Sequence, residues 1–504
     1  MGGIAADGDH EALGHFAIIA PSMAAPSLLA RAPGVVNVGL RAFAEDLAAR
    51  GVAVAQVDWR PPAAGREAIA GLLERLARHE ARIAKANAEG LRRMFAANPV
   101  LVDVLPAGKA MPELGKAAGK RIVLHAGPPI DWVRMCGPMR GAVTGAIVFE
   151  GWAANLRAAA RLAASGGVQF HPNHRYGAVG PMTGITTRSM PVMVVENRGQ
   201  GIHAGNRAYC MINEGLGKVM RFGANDAEVL ARLAWLREGF GPLLGAALRA
   251  SGGLELAPLV ARGLAMGDEM HQRNVACSAL TLRALAPHFA RAAGDAEQLA
   301  RSLAFIAGNE QFFLNIGMAM GKAIMDPVRG IEGCSLVAAM CRNGTEFGIR
   351  LSGTGDRWFT APVEMPQGLY FPGFSERDAN PDMGDSAIME TIGLGAFAMA
   401  SAPAVMGFVG AGRAGDALAF TRVMGELVVG RNARWAIPML DGQGVPAGID
   451  VRRVAASGIQ PAINTGIAHR KPGVGQVGAG VARAPLACFD RALVAFAASF
   501  GLRE

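Results

Sequence analysis

Residues 171–184, HPNHRYGAVGPMTG, place two histidines three positions apart with an arginine directly behind the second. Side chains at that spacing share a helix face, so His171 and His174 could grip one metal ion if the segment were helical. Pro172 and Gly177 read as loop punctuation instead. No carboxylate or third histidine lies within twenty residues on either side. A metal would need ligands from distant segments, and no metal or cofactor is expected here. Downstream, GITTRSMP supplies Thr186, Thr187, Arg188 and Ser189, followed by Glu196, Asn197 and Arg198. Gly-rich backbone, hydroxyls and guanidinium groups suit an oxyanion such as phosphate or carboxylate. A Gly/Thr-rich turn carrying surface arginines fits the same residues equally well.

Three further stretches concentrate polar groups in a chain whose charged content is only 18%. RNGTEFGIRLSGTGDRWFTAPV (342–363) carries Asn343, Glu346, Arg350, Asp356 and Arg357. RDANPDMGDSAIMET (377–391) is rich in carboxylates, and Asp385 or Ser386 reads as the cap of an apolar helix that follows. HAGPPIDW (125–132) follows a strand, and a loop at a strand's carboxyl end is a common ligand position in α/β proteins, which makes His125 a candidate. Near the start, HEALGH resembles the HExxH zinc helix with one residue too many. His10 and His15, five apart, would point about 140° away from each other on a helix and could not share a metal.

The elements that must position these residues follow from hydrophobic periodicity. VVNVGL, a helical stretch ending at Gly51, and VAVAQVDW make a strand–helix–strand unit. A long helical stretch from about Arg66 to Phe95 and the strands VLVDVL and RIVLHA continue the alternation. The expected fold is therefore multidomain, α/β plus α+β, with a Rossmann-like N-terminal domain over residues 33–130. Its first turn, Gly39-Leu40-Arg41, lacks the glycines of a dinucleotide fingerprint, so Asp58 more simply caps or pairs locally. Residues 226–330 show apolar repeats of period 3.6 and read as a helical insert. Residues 131–225 and 331–504, Gly-rich with short β-like pieces, would form one discontinuous α+β domain around it.

Composition excludes several classes. Half the 504 residues are hydrophobic (51%), which fits a well-buried protein of more than one domain. The net charge of +9 comes mostly from scattered arginines without aromatic interleaving, so a nucleic-acid face is not expected. Such a field favours anionic metabolites. The six cysteines form no CxxC pair, in keeping with a reducing cytoplasm. Residues 391–412, TIGLGAFAMASAPAVMGFVGAG, are uncharged and long enough to span a bilayer, but Pro403 and the Gly/Ala content favour a buried helix or helix pair. No membrane partner is expected.

Taken in order, DLAARGVAVAQVDWRPPA, LHAGPPIDW, GPMRGA, HPNHRYGAVGPMTG, MPVMVVEN, HQRNVA, RNGTEFGIR, GDRWFTAP and GDSAIMETIGLGAFAMA resemble the FdrA-associated YlbE/AllG-like family. That family, long of unknown function, includes a subunit of oxamate carbamoyltransferase of anaerobic allantoin breakdown. The resemblance covers about residues 33–490. It implies carbamoyl transfer between phosphate and oxamate or an oxalurate-like acid, within a cytoplasmic homo-oligomer or a complex with FdrA-like subunits. Such transfer needs donors for an oxyanion, cations for phosphate and carboxylate, and an acid/base. On that reading Arg188, with Thr186, Thr187 and Ser189, would hold phosphate. His171 or His174 would polarise the carbonyl or shuttle the proton, with Glu346 as a further acid/base. Arg350 or Arg357 would hold the substrate carboxylate. His125, Asn173, Arg175, Asn197, Asn343 and Asp356 complete the expected ligand contacts. A non-catalytic partner of an FdrA-like subunit and a metal-dependent amidohydrolase are the alternatives.

Overall fold

The computed structural model describes residues 34–57, 59, 61–201 and 203–502. His10, His15 and Asp58 lie outside the described residues. Two compact units divide between Pro61 and Pro62. In the first, the strands Gly34–Val38 and Ala53–Val57 pair in parallel, joined by the helix Arg41–Ala49. This is the strand–helix–strand unit that the two apolar runs imply.

The parallel strand–helix–strand layer ends there, and the strands expected to extend it to residue 130 as a Rossmann-like domain pair within the second unit instead. VLVDVL lies in the strand Pro99–Pro106 but pairs antiparallel with Pro191–Asn197, inside a five-stranded sheet of the second unit. The strand Ile122–His125 pairs in parallel with Gln169–Pro172 instead. The physical reason is that apolar alternation marks a strand without naming its partner. In the second unit a four-stranded antiparallel sheet runs in the order Phe359–Pro362, Glu346–Leu351, Val337–Asn343, Met383–Gly384. A three-stranded antiparallel sheet contains Gln367–Tyr370, Gln476–Arg483 and Ala462–Ala468.

Six α-helices occupy residues 227–325. The last, Phe312–Met325 (FFLNIGMAMGKAIM), is apolar all round and buried along its whole length, as such a helix must be. It carries two polar side chains, Asn315 and Lys322, into the interior. The uncharged stretch 391–412 is not one helix. The helix Ile388–Thr391 stops, a 3-10 turn follows over Gly395–Ser401, and a new helix starts at Pro403. Proline is tolerated at a helix's first turn but not inside it. No helix among the described residues is long and apolar enough to cross a membrane.

Candidate functional site

The site begins where two parallel strands end. Ile122–His125 and Gln169–Pro172 finish side by side, His125 opposite Pro172. Beyond Pro172 the chain makes a single 3-10 turn, Asn173–Tyr176, closed by Gly177 at φ 70°. The turn sends its side chains to opposite sides. His174 and Asn173 are buried, whereas Arg175 is exposed and His171 half-buried. The two histidines therefore share no ligand.

On the inner side, Asp385 gathers the loops. Its carboxylate accepts from the Gly127 backbone N–H at 2.8 Å, the Gly180 N–H at 2.9 Å and the Asn173 amide at 3.1 Å. Gly127 must be glycine: its φ is +84°, and a Cβ there would sit 2.6 Å from the Arg342 backbone. The helix-cap expectation for Asp385 is thus corrected. Its side chain turns away from the helix Ile388–Thr391, which has no side-chain cap. Burial pushes the Asp385 carboxyl up to about 6, against the donors that favour its charge.

His174 Nε2 stands 3.7 Å from Asp385 Oδ1, too far for a hydrogen bond, and neither ring nitrogen has a partner. Burial, with Lys322, Arg350 and Arg329 nearby, holds its pKa well below the ordinary histidine value, so the ring is neutral. Its edge meets Trp358 at 5.4 Å between centroids. The Arg350 guanidinium stacks on the same indole at 4.4 Å, leaving a buried Nε without a partner. Asp356 lies 3.6 Å from Arg350 and also pairs with Arg329. His125 is buried too: its Nδ1 donates to the Ala126 carbonyl at 2.8 Å, and Nε2 is left as an unpartnered acceptor. Burial drives its pKa down to about 4.

Behind Asp385 lies a buried ion pair. Arg342 Nε donates to Asp382 at 2.6 Å, and its other nitrogens reach the Gly384 carbonyl, Ser386 Oγ and Thr465 Oγ1. Sequence reasoning passed over Arg342, Asp382, Lys322 and Trp358 and read Asp385 only as a helix cap, although four of the five lie in stretches singled out for polar density.

His174, Cys341 and Asp385 offer ligand atoms within 4.8 Å of one another, a donor set that zinc accepts. Coordination would displace hydrogen bonds already made. Both Asp385 oxygens are occupied, and burial keeps the Cys341 thiol protonated, facing the Gly348 carbonyl at 3.8 Å.

On the outer side, His171, Arg175 and Tyr176 line a cavity of about 470 Å³ with Lys116, Lys120 and Gln169. His171 Nδ1 meets the Tyr176 hydroxyl at 2.7 Å. This cavity, not the TTRS run, collects cations.

The remaining expected residues are placed elsewhere. Arg188 donates to the Leu114 and Gly115 carbonyls at 2.9 and 3.1 Å, closing the short helix Pro112–Lys116. Thr186 bridges Leu124 through its backbone, and the Ser189 N–H is taken by Glu150 at 2.8 Å. The Thr187 and Ser189 hydroxyls are buried without partners. Asn197 fastens a strand end through Asn98 and Gly199. Asn343 shapes the hairpin at Thr345 and Glu346. Glu346 pairs with Arg134 at 3.2 Å, and Arg357 is exposed over Phe359, so neither joins His174.

Two expected outcomes follow. Arg188→Ala should cost about 1–2 kcal/mol in urea unfolding, the worth of its carbonyl contacts, and leave anion affinity unchanged. A weakened anion affinity in the folded variant would return Arg188 to the site. The second concerns pH. Since the folded Asp385 carboxyl titrates at about 6, above the unfolded 3.9, its stabilising proton is fully present below the unfolded value and lost as pH rises through 6. Asp385→Asn removes that step, so its stability relative to the parent should climb between about pH 4 and 6, by on the order of 3 kcal/mol, and then level off. A difference that stays flat over this range would refute the assignment.

A neutral buried histidine beside a gathered carboxylate, with cations around it and at the carboxyl ends of parallel strands, makes a candidate small-ligand site in an α/β protein. A family model described as "Oxamate carbamoyltransferase subunit AllG" matches residues 168–386, which span Asn173, His174, Cys341 and Asp385. The chain is 52% identical over 421 residues to oxamate carbamoyltransferase subunit AllG of Escherichia coli (strain K12), covering 83% of this chain and 99% of that protein. It is 43% identical over 478 residues to YahG of the same organism, covering 94% and 99%. A crystal structure of a conserved protein of unknown function from Enterococcus faecalis V583 superposes with a TM-score of 0.80 at 43% identity, covering 83% of this chain and 98% of that one. The chain belongs to the AllG family.

Proposed function

We propose that this chain is a subunit of a carbamoyltransferase that moves a carbamoyl group between phosphate and oxamate or a related amide or ureido acid, in allantoin nitrogen breakdown. The AllG relative, named as an oxamate carbamoyltransferase subunit, supports the reaction class. The observation that carries the site is His174, buried and neutral with two unpartnered nitrogens beside Asp385 and Arg350. In the forward direction the oxamate amide nitrogen attacks the carbamoyl carbon and the carbon–oxygen bond to phosphate breaks. The nitrogen's proton passes to His174, and phosphate leaves with the electron pair. Arg350 faces the substrate carboxylate. The cationic outer cavity at Arg175 and Lys120 draws the phosphate-bearing substrate towards the same loop. Partner subunits of the FdrA-like type complete the enzyme, which works in the cytoplasm.

The test is phosphate release from carbamoyl phosphate and oxamate by the chain alone and assembled with FdrA-like subunits. Release by the assembly, lost on His174→Gln, is expected. Release that survives both this substitution and His125→Gln in an intact assembly would make the chain a scaffold. No release by a verified assembly would end the oxamate reading.

A further inference from the structure

Arg350 is buried, yet its side chain makes no hydrogen bond among the described residues. Its guanidinium rests on the Trp358 indole, and its Nη1 stands 3.6 Å from Asp356 Oδ1, beyond hydrogen-bond reach. A buried cation in that state costs free energy until an anion reaches it. Arg329 faces the same carboxylate. Its Nη2 donates to Asp356 Oδ1, its Nη1 donates to Asp326 Oδ1 at 3.3 Å, and its Nε is buried without a partner. Asp326 also pairs with the buried ammonium of Lys322. Lys322 and Asp326 offset each other, which leaves the two guanidinium groups sharing one carboxylate, that of Asp356.

Asp356 is the mobile-looking member only in the sense of its surroundings: its side chain is 72% exposed, against 7% for Arg350. The Arg329 hydrogen bond holds its carboxyl below the ordinary carboxylate value, so it is charged at neutral pH. It follows Gly355, which takes φ +68° and whose Cβ would meet only open space. The start of the turn is fixed, since a Cβ on Gly353 would fall 2.7 Å from the Cys334 carbonyl oxygen. Asp356 can therefore leave the arginines without unseating the strand that carries Arg350. We propose that Arg329 and Arg350 form a two-guanidinium clamp for the carboxylate of a small ligand, which displaces Asp356 as an internal competitor. The chain's own carboxylate shows the chemistry that the clamp accepts. Trp358 joins the clamp to His174, meeting Arg350 at 4.4 Å and the imidazole at 5.4 Å. The inference rests on the carbamoyltransferase reading for the ligand's place beside His174, but its test needs a carboxylate and no transfer.

The experiment is calorimetric titration of the full chain, at fixed ionic strength, with oxamate, pyruvate and the neutral diamide oxamide. Pyruvate keeps the carboxylate of oxamate and lacks the amide nitrogen that transfer requires. Both acids should bind, with oxamide at least about tenfold weaker. Asp356→Asn, at an exposed position, should keep the fold and tighten both acids about fivefold, because it removes the competitor. Arg329→Gln should weaken both about tenfold or more. If Asp356 instead served to hold Arg350 in place, Asp356→Asn would weaken the acids. That opposite sign, unchanged affinity in Asp356→Asn, no binding of either acid, equal binding of oxamide, or indifference to Arg329→Gln would each overturn the proposal. Acid binding that follows the expected signs, while a verified assembly releases no phosphate, would uphold the clamp and sink the transfer reading alone.

Discussion

Arg342→Leu is expected to lower the unfolding free energy of the chain by roughly 3–5 kcal/mol, the cost of leaving a buried charge without its partner. Both side chains of the Arg342–Asp382 pair are shut off from solvent, at 0% and 1% exposure, so water cannot rescue the carboxylate left behind. Leucine fills much of the volume and satisfies none of the acceptors: Asp382, the Gly384 carbonyl, Ser386 Oγ and Thr465 Oγ1 all lose a donor. Arg342→Lys should recover little, since one ammonium cannot span a fork that meets four groups. The pair Arg342→Leu with Asp382→Leu should instead regain more than half the loss, because removing both charges abolishes the desolvation penalty. Urea unfolding of the three variants decides the matter. A loss under about 1 kcal/mol for Arg342→Leu would mean that water or a neighbouring group reaches Asp382 after all.

That arginine shows where sequence reasoning stops. The stretch 342–363 was recognisable as polar and dense, yet the residues weighed in it were Asn343, Glu346, Arg350, Asp356 and Arg357. Arg342 and Arg357 are the same residue type in the same stretch and differ in where packing places them, the first inside a strand and the second before one. Val337–Asn343 is buried on both faces, between Glu346–Leu351 and Met383–Gly384, whereas Arg357 follows a surface turn. Asp385 is a parallel case. A carboxylate just before an apolar run reads as a helix cap, and the donors that claim it instead come from Gly127 and Gly180, 258 and 205 residues away. Local signals did carry the strand–helix–strand unit of residues 34–57 and the turn after Pro172, because proline, glycine and apolar period act over a few residues. Strand partners and the neighbours of a buried charge are set by long-range packing, which one chain's pattern leaves undetermined.

His174→Gln is expected to reduce carbamoyl transfer by the assembled enzyme about 10²–10⁴-fold, the usual worth of a positioned acid/base, with little change in stability. The stability half of this outcome follows from the structure: neither nitrogen of His174 makes a hydrogen bond, so glutamine breaks none. The loss should fall on kcat rather than KM, since His174 acts on the proton that moves and Arg350 on the carboxylate that binds. Arg350→Ala should show the opposite split. The pH profile separates a proton acceptor from a packing residue. Because burial and the field of Lys322, Arg350 and Arg329 hold His174 neutral well below the ordinary histidine value, its acid form gains no population as pH falls from 7 towards 6. Activity limited by His174 should therefore persist through that range. An acid limb centred near 6.5 that vanishes in His174→Gln would show that the site charges more easily than its burial allows. A kcat unchanged by the substitution would move the proton acceptor elsewhere, with His125 Nε2, the other unpartnered buried imidazole nitrogen at the ends of the same two strands, as the next residue to replace.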